Sequence, residues 1–538
     1  MIPRNLPRFR AVLTAVTLVC GVGMAPTACF TSSEGLEPPT DSLYFPTGLV
    51  VSPGATALYV SNSDFDLQYN GGTVQVLDLV ALRATVTPIA VGLGAGMGAD
   101  AVCPPGMGRN DSRLLNPGPC MPIPLALFVK KFATIGAFAS GAILVHNPEG
   151  RGARLLVPVR GDPSITYFDV TDDRDGMSTN PPGCSDGFCL ECEASAADAE
   201  RRCGETHRIG ENPTQNLRGL TLLAEPVGIA AAESGAQVVV AHQTEAAASL
   251  ILNSWLNYPE TKPTLEYAIG NLAPGPTEVA ALPIPGRIKV TSGTDSIRYQ
   301  PGFFLTFRAA PEIDLLRFNA DDKSAQARPF LSRVAALGIN VNADGGDSRG
   351  IALDPTERQS CEADCDAAAA SATEEDLRCL EKCAAIPLGL YVANRAPPSL
   401  LVGHVDTEFE RTGDKVTGAF DIPSLFDSVP LSFGASKVAI GKVLDRDGIL
   451  RTRVFAVAFD SRLIFSYDPE ARRIEAVIRT GRGPHSVAFD SNADHAFMYV
   501  GHFTDSYIGV VDLDMRRPQT FGTMFATVGT PVPPRESK

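Results

Sequence analysis

The sequence is short of tryptophan, histidine and basic residues, and the shortage of basic residues excludes a class of partner. It has one tryptophan and seven histidines among 538 residues, and its 46 lysines and arginines are outnumbered by 61 aspartates and glutamates. The formal net charge is -15, or -18 without the first 28 residues, which contain three arginines and no acidic residue. An acidic balance disfavours binding to nucleic acid or to an anionic membrane surface through net charge. We therefore expect no nucleic-acid partner.

Motifs for metal or haem chemistry are also missing. There is no HExxH pair and no CxxCH sequence, which argues against a zincin and a c-type haem protein. Asp173, Asp175 and Gly176 imitate part of a calcium loop, but Pro182 stands where the glutamate ligand is needed. An acidic surface turn is the better interpretation of that segment. The sequence predicts no catalytic residue, no metal and no cofactor.

One apolar run free of charged residues lies near the N-terminus. Three arginines precede the stretch from Ala11 to Met24, which is too short for an ordinary transmembrane helix and is typical of an export signal. Its end, Ala28-Cys29, resembles a bacterial lipobox, although Pro26 replaces the usual aliphatic residue. The resemblance implies a signal peptide over residues 1–28, a lipidated Cys29 and a polar, proline-rich tether over residues 29–42. A plain secretory signal cut after Ala28 is the alternative.

No second membrane-spanning segment is predicted, because Lys130 and Lys131 break the longest remaining apolar stretch. We expect a bacterial envelope protein, an outer-membrane lipoprotein facing the periplasm or the surface, held to the membrane by its N-terminal lipid. Otherwise the chain is secreted or periplasmic.

Export decides how the cysteines are interpreted. Beyond Cys20 and Cys29, ten cysteines form three local groups with even numbers: Cys103 and Cys120; Cys184, Cys189, Cys192 and Cys203; Cys361, Cys365, Cys379 and Cys383. Even local groups in an oxidising compartment favour disulfides. Zinc is the alternative for the second group, where His207 could add a ligand.

The third cysteine group predicts a definite structure. CEADC and CLEKC place two cysteines four residues apart on one helix face, and a helix-forming stretch separates the two pairs. Two short antiparallel helices joined by Cys361 with Cys383 and by Cys365 with Cys379 satisfy this spacing. The arrangement resembles the twin CX3C helical hairpin.

A repeat predicts the fold of the remainder. Seven short apolar runs each end on a polar residue: Asn62, Arg160, His242, Arg308, Asn394, Asp460 and His502. A second β-rich run precedes each of them and a third follows, and the closest polar ends, Asp460 and His502, are 42 residues apart. This order and spacing predict a seven-bladed, all-β propeller with four-stranded blades. We expect it to span residues 43–528, with insertions near 85–130, 172–216 and 355–386 and a tail over 529–538.

The letters of the repeat resemble the YVTN-type seven-bladed β-propeller family. The pattern is carried in order by Pro46-Thr47-Gly48, by Leu58 to Asn62 and by Val76-Leu77-Asp78. It returns in Leu390 to Asn394 and in the segment from Pro484 to Asp512. The other four copies keep only the hydrophobic spacing. The resemblance implies the fold, and folds of this kind support many functions.

Antiparallel pairing predicts one candidate binding face. The start of a blade's first strand should lie beside the end of its second, at one mouth of the channel. The expected pairs are Thr47 with Asn62, Ala133 with Arg160, Val227 with His242, Glu278 with Arg308, Arg349 with Asn394, Lys437 with Asp460, and His485 with His502. Glu278 with Arg308 and Lys437 with Asp460 should form ion pairs within their blades. Five residues then remain as a face for anions: Arg160, His242, Arg349, His485 and His502.

Three functions fit these observations. The preferred prediction is a non-enzymatic binding or scaffold propeller that engages an envelope protein or an anionic ligand at that mouth. A lactonase-like hydrolase is the first alternative, because propeller lactonases use histidine and arginine at the channel mouth, as His485 suggests. A purely structural envelope protein is the second, since polar residues at strand ends commonly bond to turns and to one another.

Overall fold

The computed structural model describes residues 36–110, 117–185, 187–194, 201–283, 300–320, 328–339, 346–368, 379, 382–413 and 415–532. The predicted signal peptide and Cys29 lie outside the described residues. Within these ranges, no helix combines the length and the apolar character that crossing a membrane requires.

Seven antiparallel sheets form a seven-bladed β-propeller, as predicted, and we number the blades in chain order. Blade 1 contains β1 Pro46–Val51, β2 Ala57–Asn62, β3 Thr73–Asp78 and β4 Val129–Thr134. Blade 2 contains β5 Ile143–His146, β6 Ala153–Val159, β7 Ser164–Val170, and the short strands β8 Leu190–Glu191 and β9 Arg208–Ile209, which both pair with β7. Blade 3 contains β10 Pro226–Ala231, β11 Gln237–His242, β12 Ala247–Leu252 and β13 Thr264–Ile269.

Blade 4 contains β14 Pro276–Ala281, β15 Gly302–Phe307, β16 Glu312–Asn319 and β17 Phe330–Gly338. Blade 5 contains β18 Ser348–Asp354, β19 Leu388–Arg395 and the long hairpin β20 Pro398–Thr412 with β21 Lys415–Pro430. Blade 6 contains β22 Ala435–Leu444, β23 Leu450–Ala458, β24 Leu463–Asp468 and β25 Arg473–Arg479. Blade 7 contains β26 Pro484–Ser491, β27 Ala496–His502, β28 Tyr507–Asp512 and β29 Met524–Val528.

The described helices lie in the insertions. They are α1 Leu79–Gly94, α2 Ala99–Val102 and α3 Thr356–Ala368, and short 3₁₀ turns occur at Leu125–Leu127, Arg174–Gly176, Glu205–His207 and Pro213–Gln215.

Successive side chains of each strand pack on opposite faces of the blade and form the cores between neighbouring blades. On β2, Leu58 and Val60 pack in the cluster shared with blade 7, whereas Tyr59 packs in the cluster shared with blade 2. Successive side chains of a strand point to opposite faces, and both faces of a blade are covered by its neighbours. This explains why the second strands are continuous apolar runs. The inner strands contact one another in the order β1, β5, β10, β14, β18, β22, β26 and back to β1, which closes the ring.

The two ends of the propeller differ. We call the end where the inner strands begin the rim, and the opposite end the far face. The connections that replace the predicted insertions occupy residues 79–128, 171–207 and 355–387, and all three leave strand ends on the far face. The long hairpin of blade 5 also projects to that side, because β20 starts at the rim beside Asn394 and runs away from it.

The first insertion joins blade 1 to blade 7. The helix α1 places Leu82, Val86 and Ile89 in one core with Phe497 and Phe525 of blade 7. The backbone of Ile123 also donates to Thr527 O at 2.8 Å and accepts from Gly529 N at 2.8 Å. These contacts extend blade 7 at its outer edge and hold the first and last blades together.

The described part of the predicted tether is docked on the protein. Asn70 N donates to Leu36 O at 2.9 Å, and the Gln75 side-chain amide donates to Thr40 O and Ser42 O, both at 3.1 Å. A free tether over residues 29–42 was expected from composition, but backbone carbonyls of this segment satisfy the buried amide of Gln75. Residues 36–42 of the predicted tether are therefore part of the folded domain.

All ten cysteines outside the N-terminal segment form disulfides. The pairs are Cys103–Cys120, Cys184–Cys189, Cys192–Cys203, Cys361–Cys383 and Cys365–Cys379. The pairing predicted for the third group is confirmed, with α3 as the first helix of the hairpin and helical residues 382–384 at its other end. The zinc alternative for the second group is wrong, because its four thiols are consumed and His207 instead contacts Tyr167 O at 2.9 Å.

Candidate functional site

The rim is built by a repeated irregularity of the inner strands. In six blades the register with the second strand shifts near the start of the inner strand, as between Pro46 and Gly48 or between Pro484 and Ser486. A bulge of this kind re-aims one side chain. Several of the re-aimed side chains bond to the next blade: Thr277 Oγ1 donates to Ser348 O at 2.7 Å, and His485 Nδ1 contacts Thr47 O at 3.1 Å.

The strands predicted to pair do so in six of the seven blades, and blade 2 is the exception. In four of the six, the residue opposite the polar end is one position earlier than predicted, as Pro484 opposite His502 shows. Ala133 was expected to open the inner strand of blade 2 beside Arg160, but it lies in β4, the outermost strand of blade 1. The residue beside Arg160 is Phe138, whose carbonyl accepts from Arg160 N at 3.2 Å. The short strand β5 does not begin with a Pro-x-Gly sequence. The apolar sequence of β4 was therefore mistaken for the inner strand of blade 2.

The two predicted arginines of the rim are neutralised locally. Arg160 forms an ion pair with Glu225 at the entry to blade 3, and Arg349 forms one with Asp347, two residues before it. Each arginine is paired with one carboxylate, so neither position keeps a surplus positive charge.

His242 and His502 are buried inside their blades with both ring nitrogens engaged. His242 Nδ1 donates to Ala224 O at 3.1 Å and its Nε2 accepts from Ser249 Oγ at 2.8 Å. His502 Nδ1 donates to Val500 O, Nε2 accepts from Gly481 N, both at 3.1 Å, and the ring stacks on Tyr507. Burial lowers the pKa of His242 to about 4 and that of His502 to about 3, so both are neutral at pH 7.

His485 also stays neutral, although it is only partly buried. Burial, with the positive charge of Lys437 nearby, lowers the pKa of His485 to about 4. Its ring lies 5.9 Å from that of Phe503 and 6.4 Å from that of Phe459. The expected anion-binding patch of five residues is therefore not formed, because two members are ion-paired and three are uncharged.

The ion pairs expected within blades are replaced by pairs between blades. Lys437 of blade 6 binds Glu278 of blade 4, and Asp460 binds Arg395 of blade 5. Glu278 and Lys437 reach each other across Gly350 of blade 5, which brings no side chain between them and where an added Cβ would lie 2.7 Å from Lys437 Cα. Arg308, the expected partner of Glu278, is exposed.

Asp64 is a buried carboxyl group at the rim. Its side chain is buried, Oδ1 accepts from Tyr69 N at 3.1 Å, and Oδ2 has no hydrogen-bond partner in the described part of the chain. Burial is the largest of the effects that raise the pKa of Asp64 to about 7.

Asp64→Asn should therefore stabilise the protein at pH 8 by about 1–3 kcal/mol. The folded state binds a proton that the unfolded chain releases near pH 4, so wild-type stability falls as pH rises from about 4 to 7. Asparagine keeps the shape and tolerates the left-handed backbone at this position, where φ is 49°. Denaturation at several pH values checks this: the difference between variant and wild type should vanish near pH 4, and a constant difference would contradict the assignment.

A cleft on the far face is the better candidate site. It has a volume of about 1050 Å³. We call it the interblade cleft, because blades 5 and 6 form its walls and α3 borders it. Its lining includes Tyr391, His404, Phe426 and Tyr467 from the blades and Glu357, Cys361 and Asp364 from α3.

The border formed by α3 is fixed in place. Asp354 Oδ1 accepts from Thr356 N at 3.0 Å and so caps the start of the helix. Thr356 Oγ1 lies 3.1 Å from Thr452 Oγ1 of blade 6, and the buried Arg358 donates to Ile386 O at 2.7 Å. The Cys361–Cys383 disulfide joins the helix to the returning segment. The helix therefore forms a rigid border beside the two blades.

The chemistry of the cleft combines ring surfaces with surplus negative charge. The rings of Tyr391 and Tyr467 lie 6.2 Å apart, and Tyr467 is 1% exposed with a hydroxyl that has no partner among the described residues. Four carboxylates line the cleft against two arginines: Asp354, Glu357, Asp364, Glu470, Arg451 and Arg472. One arginine, Arg451, is already paired with Asp445 at 3.0 Å. Aromatic faces beside carboxylates suit a cationic group.

Sequence reasoning did not find this cleft. Its walls come from residues about 100 positions apart, and its border comes from an insertion that was interpreted only as a stapled hairpin. The single available signal was the charge of that hairpin, whose first helix carries Glu357, Glu362 and Asp364.

Comparisons with known proteins found solved structures of low similarity and no family. No family model matches the chain, and no curated protein matches it. Among solved structures, hydrazine synthase of Kuenenia stuttgartiensis has a TM-score of 0.42 and 11% identity, covering 89% of this chain and 98% of its own. A protein from Lactobacillus plantarum has a TM-score of 0.40 and 11% identity, covering 82% and 86%. The periplasmic gluconolactonase of Pseudomonas aeruginosa has a TM-score of 0.39 and 8% identity, also covering 82% and 86%.

Proposed function

We propose that this protein is a lipid-anchored, non-enzymatic binding propeller of the bacterial cell envelope, a divergent relative of YVTN-type propellers, whose ligand occupies the interblade cleft. The observation that carries the proposal is the cleft itself, in which aromatic rings lie beside surplus carboxylates between blades 5 and 6 and α3. A ligand that covers the rings and pairs with the carboxylates would gain from both kinds of contact.

The five disulfides support the envelope location. Disulfides persist in oxidising compartments such as the periplasm and the cell surface. Their positions also favour binding on the far face, since Cys361 lines the cleft and its disulfide holds the border.

The ligand class follows from the charge of the cleft. Glu357, Asp364 and Glu470 outnumber the cations that face them, and Arg472 stands over the Phe426 ring at 5.6 Å. An anionic ligand, predicted earlier for the rim, would meet repulsion here. We therefore infer a ligand with a cationic group, such as a lysine- or arginine-bearing segment of an envelope protein.

The other two functions have less support. A lactonase-like hydrolase would need His485, His502 and Arg349 to converge on a deep pocket. Both ring nitrogens of His502 are bonded internally, Nδ1 of His485 contacts a backbone carbonyl of blade 1, and Arg349 is ion-paired. A purely structural role agrees with the internal bonding of the rim and gives no reason for the cleft.

A titration with short peptides tests the proposal. A capped tetra-arginine peptide should bind the protein, and a capped tetra-glutamate peptide should not. The double variant Glu357→Gln and Glu470→Gln should weaken tetra-arginine binding about tenfold, since each partly exposed charge pair contributes up to about 1 kcal/mol. Calorimetry or fluorescence anisotropy provides the measurement.

Glu245→Gln is the matched control. Glu245 is an exposed carboxylate on the rim side of blade 3, so its neutralisation changes net charge without changing the cleft. Weakening equal to that of Glu357→Gln alone, which also removes one charge, would show that binding follows net charge, and would refute the cleft as the site.

A further inference from the structure

The N-terminal segment enters the propeller at the rim. Leu36 pairs as a bridge with Tyr69, and Tyr69 belongs to the connection between β2 and β3, which lies on the rim side. Leu43, Tyr44 and Phe45 are buried as the chain passes into β1. Whatever precedes Leu36 therefore starts from the rim and not from the far face.

Exposed apolar side chains surround this entry point. Leu36 is 62% exposed, Phe65 50% and Leu67 61%. Phe65 is held firmly, because its ring contacts those of Phe45, Phe138 and Phe503 at 6.0, 5.8 and 5.2 Å.

The backbone of the same region is constrained to present these side chains. Phe45, Asp64 and Leu67 have φ values of 48°, 49° and 52°. Left-handed backbone is unfavourable for bulky residues and persists only where the surrounding structure enforces it. The outward position of Leu67 is therefore a built feature of the loop.

We propose that this part of the rim lies on a phospholipid bilayer, with Leu36, Phe65 and Leu67 inserted at its interface. The proposal rests on the proposed lipid at Cys29. Leu36 is seven positions after Cys29, and a fully extended chain of seven Cα–Cα steps spans at most about 25 Å. A folded domain of 100 residues has a diameter of more than about 30 Å, so the gap is too small to hold a protein partner between rim and membrane.

The orientation has a functional consequence. A lipid at Cys29 limits the distance between the domain and the bilayer, and three interfacial apolar side chains add a second membrane contact that fixes the orientation. With the rim on the bilayer, the far face and the interblade cleft point away from the membrane, where an envelope partner can reach them.

The single tryptophan makes this orientation measurable. Trp255 follows β12 on the far face, and Leu256 beside it is 74% exposed. The lipidated full-length protein is reconstituted in vesicles containing phosphatidylcholine with brominated acyl chains, which quench tryptophan within the bilayer. Wild-type emission should stay unquenched. The emission added by Phe65→Trp should be lost, and that added by the control Leu256→Trp should remain.

A second variant guards against misfolding. Leu67→Trp should be quenched like Phe65→Trp, because Leu67 makes none of the ring contacts of Phe65. Unquenched emission from both rim tryptophans, or equal quenching at Leu256→Trp, would overturn the proposal.

Failure of the anchor can be told apart from failure of the orientation. Labelling cells with a palmitate analogue reports whether Cys29 carries lipid, with Cys29→Ala as control. If it carries none, the proposed anchoring fails. Coupling Cys29 to a maleimide phospholipid then gives the same quenching measurement and decides the orientation by itself.

Discussion

Replacing Arg154 with methionine is expected to lower the free energy of unfolding by about 3–5 kcal/mol. Arg154, on β6, is fully buried, and its Nε donates to Asp169 Oδ1 at 2.8 Å. Its other nitrogens donate to Asn253 Oδ1 at 2.8 Å and Thr261 O at 2.7 Å in blade 3. The variant would leave a buried carboxylate unpaired and would detach the connection of blade 3 from blade 2. Denaturant unfolding with intact disulfides measures the change.

The double variant Arg154→Met with Asp169→Leu separates the two effects. It removes the unpaired charge, so it should recover part of the lost stability. Burial already raises the pKa of Asp169 despite Arg154 beside it, so the single variant should lose more at pH 8 than at pH 5. A loss below about 1 kcal/mol at pH 8 would show that Arg154 does not hold the two blades together.

Asp173→Ala is expected to cost about 2–3 kcal/mol. Asp173 belongs to blade 2, yet it accepts hydrogen bonds from Thr56 Oγ1 at 2.6 Å, Gly54 N at 2.9 Å and Thr56 N at 3.2 Å in blade 1. Burial alone would raise its pKa, but the hydrogen bonds from Ser52, Thr56 and Gly54 outweigh burial and lower it. The stabilisation is therefore present above pH 4 and lost as pH falls through the lowered pKa. Thermal or denaturant unfolding checks the value.

Addition of a chelator is the control for Asp173. The sequence around it imitates part of a calcium loop and was interpreted as an acidic surface turn. That interpretation is wrong for Asp173, which is 2% exposed and whose carboxylate accepts from donors of blade 1. EDTA should leave wild-type stability unchanged, and a chelator effect that Asp173→Ala abolishes would restore the calcium interpretation.

The repeat predicted most of the fold because strand period and strand order are local properties. Six inner strands begin with proline or a small residue followed by a bulge, and their partner strands follow about ten to forty residues later. The residue pattern alone was therefore enough to predict these strand pairs. Blade 2 was misassigned because its inner strand β5 has four residues and no such opening.

The partners of the rim residues could not be predicted, because they depend on the closed ring. Glu278 and Lys437 are 159 residues apart and meet only because blade 5 offers Gly350 between them. The three histidines lie at the rim as predicted. They are neutral because burial lowers the pKa of each, and the sequence does not show burial. The cleft combines an insertion with two blades, and no motif marks such a combination.

Photo-crosslinking in living cells tests most directly whether ligands bind in the interblade cleft. The photoreactive p-benzoylphenylalanine is placed at Phe426, which lines the cleft and is 50% exposed. The control position is Phe330, which is 42% exposed on the outer strand of blade 4. We expect adducts at Phe426 that disappear in the Glu357→Gln and Glu470→Gln background, and none at Phe330. Absence of adducts at Phe426, or adducts that survive those substitutions, would contradict the account.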